Sequence, residues 1–202
     1  MLRLFQRTQA LPLPEPLTAA DTLAPEVLQL VKTLLAIHKP TRSLVAGVFT
    51  GLGLIGVAEA TKKDGLVIAV EHPQFARYYQ NIGLAYAGRS DLARIQLRST
   101  DPIPKAIADL ALTEPGAFDF VLIDDVMIKN YAANYQNSLQ LLRPAGLMVI
   151  ADTLAGGQVL GSPDPRSPAG MVQQMNREVS RDIRVLATLL PFGGGTTIVV
   201  KK

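Results

Sequence analysis

The sequence contains no cysteine among its 202 residues. Disulfides, thiolate metal sites and cysteine nucleophiles are therefore excluded. Charged residues are scarce as well, at 18% of the chain, whereas 48% of the residues are hydrophobic, so we expect a sizeable core and no extensive disorder. Single domains commonly reach this length, and we expect one domain over residues 1–202.

Clustered positive charge and long apolar runs are also missing. The formal net charge is only +3, and basic residues stand side by side only at Lys62–Lys63 and Lys201–Lys202, so we expect no nucleic-acid surface. No apolar run approaches the roughly 20 residues that span a bilayer. Prolines and Glu15 interrupt the stretch after Arg3 and Arg7, which argues against a signal peptide. We therefore expect a soluble cytoplasmic protein without membrane contact.

Strand-like and helix-like segments alternate five times along the chain. The predicted strands are 43–48, 66–71, 93–99, 118–124 and 147–152. The predicted helices are 25–37, 52–63, 73–88, 104–112, 130–146 and 171–182. This alternation predicts an α/β fold with a mostly parallel sheet and helices on both faces. Residues 183–202 predict a terminal antiparallel hairpin. Residues 153–170, rich in Gly, Pro and Ser, predict a long loop that is either a lid or disordered, and residues 1–24 are expected to be an N-terminal extension.

Carboxylates end four consecutive predicted strands: Glu71, Asp101, the pair Asp124 and Asp125, and Asp152. Ligands of open α/β sheets bind beyond the carboxyl ends of the strands. Helix capping by aspartate explains one or two of these positions, but it explains all four less well, and glutamate is not a favoured cap. The pattern therefore favours a ligand site at this edge of the sheet.

A glycine-rich loop, "GVFTGLG", follows the first predicted strand. Glycine lets the backbone approach a ligand closely, and the amides of a helix N-terminus favour negative charge. The spacing is not G-x-G-x-x-G, so the loop alone is a weak signal. Glu71 lies about 20 residues further on, at the end of the second strand, where a carboxylate grips a ribose diol. Together the two features indicate an adenosine-containing cofactor, without separating a nicotinamide from S-adenosylmethionine (SAM).

Six segments in fixed order give the chain a family resemblance: "GVFTG", "VIAVEHP", "RIQLRSTD", "FDFVLIDDVMIKNY", "LLRPAGLMVIADTL" and "FGGGTTIVVKK". They resemble the class I SAM-dependent O-methyltransferases of the catechol and caffeoyl-CoA O-methyltransferase group. The resemblance implies a Rossmann-like methyltransferase fold with seven strands, the C-terminal one antiparallel. It also implies a homodimer and a small-molecule substrate covered by residues 1–24 and 153–170.

The resemblance also implies roles for individual residues. Glu71 would hold the ribose hydroxyls, and Asp124 would lie near the methionine amino group. Asp124 and Asp152 would bind a divalent cation, magnesium or calcium, which holds neighbouring hydroxyls of the substrate. The implied cofactor-binding residues are Gly47, Phe49, Thr50, Gly51, Gly53, Glu71, His72, Asp101, Pro102 and Asp124.

Departures from the family pattern gather at the reacting end. Val45 replaces a carboxylate before the loop, and Leu52 and Gly53 replace Tyr-Ser after it. The family's metal-binding asparagine is Thr153, a poorer ligand, so the sequence leaves metal dependence open.

The family's catalytic lysine is displaced as well. An apparent insertion in "DDVMIKNY" puts Met127 or Ile128 at its position, with Lys129 next to it. The candidates for catalysis are therefore Asp124, Asp125 and Lys129.

Two functions follow from this pattern. The first is SAM-dependent methyl transfer to a hydroxyl of a small aromatic molecule, which the sequence does not identify. The alternative is an inactive methyltransferase-like protein that binds SAM or S-adenosylhomocysteine (SAH) as a regulatory or binding module. In both, our hypothesis is that the adenosine end of the site is retained while the reacting end is rebuilt.

Overall fold

The computed structural model describes residues 2–10 and 21–202 of the chain. The strands are β1 (Arg42–Ala46), β2 (Leu66–Glu71), β3 (Ile95–Ser99), β4 (Phe118–Ile123), β5 (Leu142–Ile150), β6 (Val185–Leu190) and β7 (Thr196–Lys201). The helices are α1 (Leu2–Gln9), α2 (Pro25–His38), α3 (Leu52–Ala60), α4 (Pro73–Asn81), α5 (Arg89–Leu92), α6 (Ile103–Thr113), α7 (Tyr131–Leu141) and α8 (Pro168–Arg181). Short 3₁₀ segments cover Gly83–Tyr86, Ile128–Asn130 and Ala155–Leu160.

The seven strands form one sheet in the order β3-β2-β1-β4-β5-β7-β6. The first five strands are parallel, and β7 runs antiparallel to both β5 and β6. The predicted seven-stranded, mostly parallel sheet with an antiparallel C-terminal strand is thereby confirmed. The strand order reverses between β1 and β4, which places the expected ligand crevice beyond the carboxyl ends of these two strands.

The sheet is buried on both faces because its central strands are apolar at nearly every position. Leu44 and Val121 point into a core beneath α6, α7 and α8. Their neighbours Val45 and Leu122 point into the opposite core, beneath α1, α2 and α3. Successive side chains of a strand face opposite sides of the sheet, so each continuous apolar run supplies both cores.

Several predicted boundaries differ from the observed ones, and three of the differences are large. The helix predicted over 73–88 ends at Asn81, and the chain continues through Gly83–Tyr86 and α5. The helix predicted over 130–146 ends at Leu141, and residues 143–146 form an irregularity inside β5. Pro144 is tolerated there because a bulge needs no ladder hydrogen bond from its nitrogen. The predicted loop 153–170 contains the segment Ala155–Leu160 and the start of α8.

The N-terminal extension contains an element that the sequence did not predict. In α1, Leu4 is fully buried in the core beneath α2 and α3. The hydroxyls of Thr8 and Thr50 share a 3.1 Å hydrogen bond, which ties α1 to the glycine loop. The rest of the predicted extension, 11–20, lies outside the described residues. Within the described part of the chain, no helix has both the length and the hydropathy needed to cross a bilayer.

Candidate functional site

The glycine loop brings the ends of β1 and β4 into contact. Gly47 has φ 91°, and a Cβ atom there would lie 2.1 Å from the carbonyl oxygen of Asp124. Gly51, at φ 92°, precedes α3, and a Cβ atom there would lie 2.3 Å from the Tyr79 ring. Only glycine fits both the positive φ and these close approaches. The loop therefore packs directly against Asp124, the residue that the resemblance implies near the methionine amino group.

Glu71 is fully buried and already has hydrogen-bond donors. Its Oε2 accepts from the backbone N–H groups of Val48 and Phe49, at 2.6 and 2.8 Å, and its Oε1 accepts from the N–H of His72 at 2.6 Å. Burial raises the pKa of Glu71, and the three N–H donors act against that rise. Three of about four lone-pair sites are taken, so this carboxylate pins the glycine loop to β2.

The other residues predicted for the adenosine end lie at the same edge of the sheet. His72 Nδ1 accepts from the N–H of Gln74 at 3.2 Å and so caps α4. His72 Nε2 lies 3.3 Å from Asp101 Oδ2. Because Nδ1 accepts, the neutral ring carries its proton on Nε2, which faces Asp101. Asp101 is exposed, and its peptide bond to Pro102 is cis.

Phe49 belongs to a small aromatic cluster next to Glu71. Its backbone is left-handed, at φ 46°, and its ring is almost completely buried. The ring lies 5.1 Å from that of Tyr78 and packs against Phe75, with Val126 and Met127 beside them. Phe49 is therefore held at its backbone N–H by Glu71 and at its ring by this cluster.

An acidic cavity of about 180 Å³ lies beyond the carboxyl ends of β4 and β5. Four of the lining residues are aspartates, and no lining residue is basic. The lining consists of Asp21, Asp124, Asp125, Val126, Ile128, Tyr131, Asp152, Ala155 and Gly156. Burial raises the pKa of Asp124 well above its usual range, and the negative charges of Asp152 and Glu71 add to the effect. Burial, followed by the charge of Asp21, raises the pKa of Asp152 to about 6. The cavity therefore favours a positively charged ligand.

The aspartates of this cavity differ in their hydrogen bonds. Asp125 Oδ1 accepts from the N–H of Met127, and its Oδ2 accepts from the side-chain amides of Asn130 and Asn134. Asp125 thus holds the turn that follows β4. No described residue donates a hydrogen bond to the carboxylate of Asp124 or of Asp152. A Cβ atom on Gly53 would lie 3.6 Å from Asp124 Oδ2, so this carboxylate faces the first turn of α3.

Lys129 does not reach the acidic cavity. It is exposed on the segment Ile128–Asn130 and lines a neighbouring cavity, whereas Ile128 lines the acidic one. The extra residue after Asp124 therefore puts an aliphatic side chain where the resemblance implies a lysine.

The residues present do not fit a metal site with three protein ligands. Thr153 is fully buried, and its Oγ1 accepts from Thr197 Oγ1 at 3.0 Å. Its carbonyl oxygen accepts from Asn176 Nδ2. Within residues 2–10 and 21–202, no three His, Cys, Asp or Glu side chains converge on a point that could hold a metal ion. Asp124 and Asp152 are thus without the third protein ligand that the resemblance implies.

Two lining residues were missed from the sequence. Asp21 precedes α2 in a stretch without periodicity, and no signal in the sequence singles it out. Tyr131 begins α7 and is almost completely buried; burial, then the charges of Asp152 and Asp124, raises its pKa well above its usual range. Its position in "KNY" next to the strand-four carboxylates was the available signal.

Comparison with known proteins gives a consistent result. A model of the O-methyltransferase family matches residues 4–202. The chain is 30% identical over 178 residues to catechol O-methyltransferase domain-containing protein 1 of Mus musculus, covering 87% of this chain and 66% of the mouse protein. It is 29% identical over 189 residues to a probable caffeoyl-CoA O-methyltransferase of Arabidopsis thaliana, covering 89% of this chain and 79% of the plant protein.

Solved structures share the fold. An O-methyltransferase from Bacillus cereus in complex with SAH aligns with a TM-score of 0.80 at 23% identity, over 100% of this chain and 90% of that one. The O-methyltransferase TomG from Streptomyces achromogenes, in complex with SAM, aligns with a TM-score of 0.78 at 20% identity, over 98% and 89%.

Proposed function

The chain belongs to the O-methyltransferase family, and we propose that it transfers a methyl group from SAM to a hydroxyl of a small aromatic molecule. The acidic cavity is the observation that carries this proposal. SAM has two positive groups, its sulfonium and its α-amino group, and both need negative neighbours. Asp124 and Asp152 offer carboxylates that no described residue has paired, beside the glycine turn. Binding of a cation there offsets the cost of burying these charges.

The adenosine half of SAM fits the edge formed by Glu71, His72 and Asp101. Asp101 is exposed and can accept from an adenine amino group. Glu71 keeps about one free lone-pair site, whereas a ribose diol offers two hydroxyls. We therefore propose that on cofactor binding a ribose hydroxyl replaces one of the backbone N–H groups at Glu71, such as that of Phe49.

The acceptor hydroxyl lies against Asp152 in this proposal. Asp152 also borders a larger cavity of about 520 Å³, between α1, residues 22–26 and the turn at Gly193–Gly194. This larger cavity is one route by which an acceptor reaches Asp152, and methyl transfer then needs the acceptor hydroxyl in line with the sulfonium. Asp125 is occupied by three donors and Lys129 lies elsewhere, so neither is placed to contact this hydroxyl.

We further propose a cytoplasmic homodimer. The edge strand β6 supports the dimer, because its outer edge is unpaired within the described residues. Leu186 and Leu189 on this strand are 64% and 41% exposed. An apolar strand edge invites pairing with another chain. Light scattering tests this: the wild type is expected at twice the mass of one chain and Leu186→Lys at a lower mass, and a monomeric wild type refutes the dimer.

Calorimetry followed by a transfer assay tests the activity. We expect micromolar binding of SAM and SAH, and transfer of labelled methyl from SAM to members of a panel of catechols, unchanged by EDTA. Absence of SAM binding up to millimolar concentration refutes the proposal. Binding of both molecules without transfer to any phenol identifies the alternative function, a SAM-binding module without activity.

A further inference from the structure

A second cavity, of about 380 Å³, adjoins the acidic one and has the opposite charge. The two cavities share Val126 and Ile128 as a common wall. The second cavity lies between the turn after β4 and the start of α8. Its charged lining residues are Lys129 and Arg166, and it has no acidic lining residue.

Neither cation has a structural role that accounts for it. In the described part of the chain, neither the Lys129 ammonium nor the Arg166 guanidinium is within salt-bridge distance of a carboxylate. The N–H of Arg166 donates to Asp164 Oδ1, but that bond involves only the backbone of the arginine. The adjacent N-terminus of α8, capped by Ser167, adds a further partial positive charge. Both side chains are exposed to water, and together with the helix N-terminus they give this cavity a positive potential that favours an anion.

The rest of this cavity is apolar. Met127 and Met171 line it with flexible thioethers, and Pro168, Val126 and Ile128 complete the lining. Methionine adapts to flat or irregular apolar groups, aromatic rings included. A free phosphate would use the cations and leave this surface in water. The lining therefore suits a molecule that joins an apolar part to an anionic group.

We propose that this cavity binds the carboxylate of the methyl acceptor, which is thus an aromatic carboxylic acid with a ring hydroxyl. The inference rests on the proposed function. The hydroxyl lies in the acidic cavity and the apolar part crosses Val126 and Ile128. Arg166 binds the carboxylate with its planar fork of N–H donors, and Lys129 adds a second charge. Lys129 then anchors the substrate and takes no proton from it.

Comparison of caffeic acid with its methyl ester tests the anchor, because the two molecules share the catechol and differ in the charge. We expect a higher kcat/KM for the acid with the wild type. The acid-to-ester ratio of kcat/KM should fall by about 10- to 100-fold in Arg166→Glu and in Lys129→Glu, mainly through KM for the acid. Arg177→Glu is the matched control, since it makes the same charge change on α8 outside the cavity and should keep the ratio.

Three results separate this inference from the proposed function. An unchanged ratio in both cavity variants, with methyl transfer intact, overturns the anchor and leaves the methyltransferase activity standing. An equal loss of kcat for acid and ester in Lys129→Glu also overturns it, because that is the behaviour of a general base. If the wild type transfers no methyl group, the proposed function fails, and calorimetry of caffeic acid with SAH present tests the anchor separately. Binding of caffeic acid that weakens about 10-fold in Arg166→Glu supports the anchor. Binding that is unchanged in this variant, or absent in the wild type, refutes it.

Discussion

The two ends of the proposed cofactor site are both acidic, but their carboxylates are in opposite states. At the proposed adenosine end, Glu71 is fully buried and accepts three backbone N–H groups. At the proposed methionine end, Asp124 and Asp152 line a cavity, and no described residue donates a hydrogen bond to either carboxylate. Glu71, which matches the family pattern, is thus engaged in holding the glycine loop, whereas Asp124 and Asp152, which match it as well, are ready to bind a cation. Residue identity alone therefore does not indicate whether a carboxylate is available.

Removal of Glu71 should have the largest effect on stability. Glu71→Ala leaves three buried backbone donors without an acceptor, and we expect the free energy of unfolding to fall by about 3–6 kcal/mol. Urea denaturation measures the loss. The control is Glu59→Ala, whose partly exposed pair with Lys32 should contribute less than about 1 kcal/mol. Equal losses in the two variants would show that Glu71 does not hold the loop.

Neutralisation of Asp124 should act on the ligand. Asp124→Asn removes the negative charge facing the α-amino group of SAM, and we expect the SAM affinity to fall by about 10- to 100-fold while the protein stays folded. Isothermal calorimetry measures the affinity. Asp109→Asn makes the same change in an exposed pair with Lys105 and should leave the affinity unaltered. SAM binding as tight in Asp124→Asn as in the wild type would remove Asp124 from the site.

Asp152 should make stability depend on pH. Its pKa is raised to about 6 in the folded protein, so the folded state binds the proton more tightly than the unfolded chain does. The contribution of Asp152 to the free energy of unfolding is therefore largest below pH 4, and this contribution is lost as pH rises through 6. We therefore compare the free energy of unfolding of Asp152→Asn with that of the wild type at two pH values. After allowance for partial exposure, the advantage of the variant should be about 1–2 kcal/mol larger at pH 7.5 than at pH 4. Urea titrations at both values measure this, and a pH-independent difference would contradict the raised pKa.

Thr153 should have the smallest effect. Its hydroxyl is bonded to Thr197, so Thr153→Val should cost about 1 kcal/mol and Thr197→Val a similar amount, because each removes the same hydrogen bond. Turnover with EDTA and with added magnesium should respond equally in the wild type and in Thr153→Val. Magnesium activation that is present in the wild type and lost in this variant would restore Thr153 as a metal ligand.

Much of the fold was predictable because its signals are local. The run "LVIAVE" predicted β2 at its observed bounds, since an apolar segment of six residues is typical of a strand buried on both faces. The helix ends were less predictable. Pro144 and Gly146 predicted the end of the helix at about residue 146. The helix ends earlier, at Leu141, because the chain from Leu142 onward pairs with β4 and becomes part of β5.

The site divides in the same way. Strand-end carboxylates were visible in the sequence, and parallel topology brings Asp124 and Asp152 to one cavity. Asp21 was not visible, because it reaches the cavity from outside the sheet. The one-residue insertion after Asp124 left two registers open. Only packing decided that Ile128 lies in the wall between the two cavities and that Lys129 lines the second cavity alone.

The sequence by itself determined the seven-stranded fold, because apolar periodicity is a property of neighbouring residues, and its six ordered segments indicated the family. It also predicted the edge of the sheet at which we expect ligands to bind. The tertiary structure decided which carboxylates are free. A carboxylate is satisfied or left unpaired by the donors that packing brings to it from distant segments, as Val48 and Phe49 reach Glu71 from the other side of a helix and a turn. That depends on three-dimensional proximity, which no short stretch of sequence encodes.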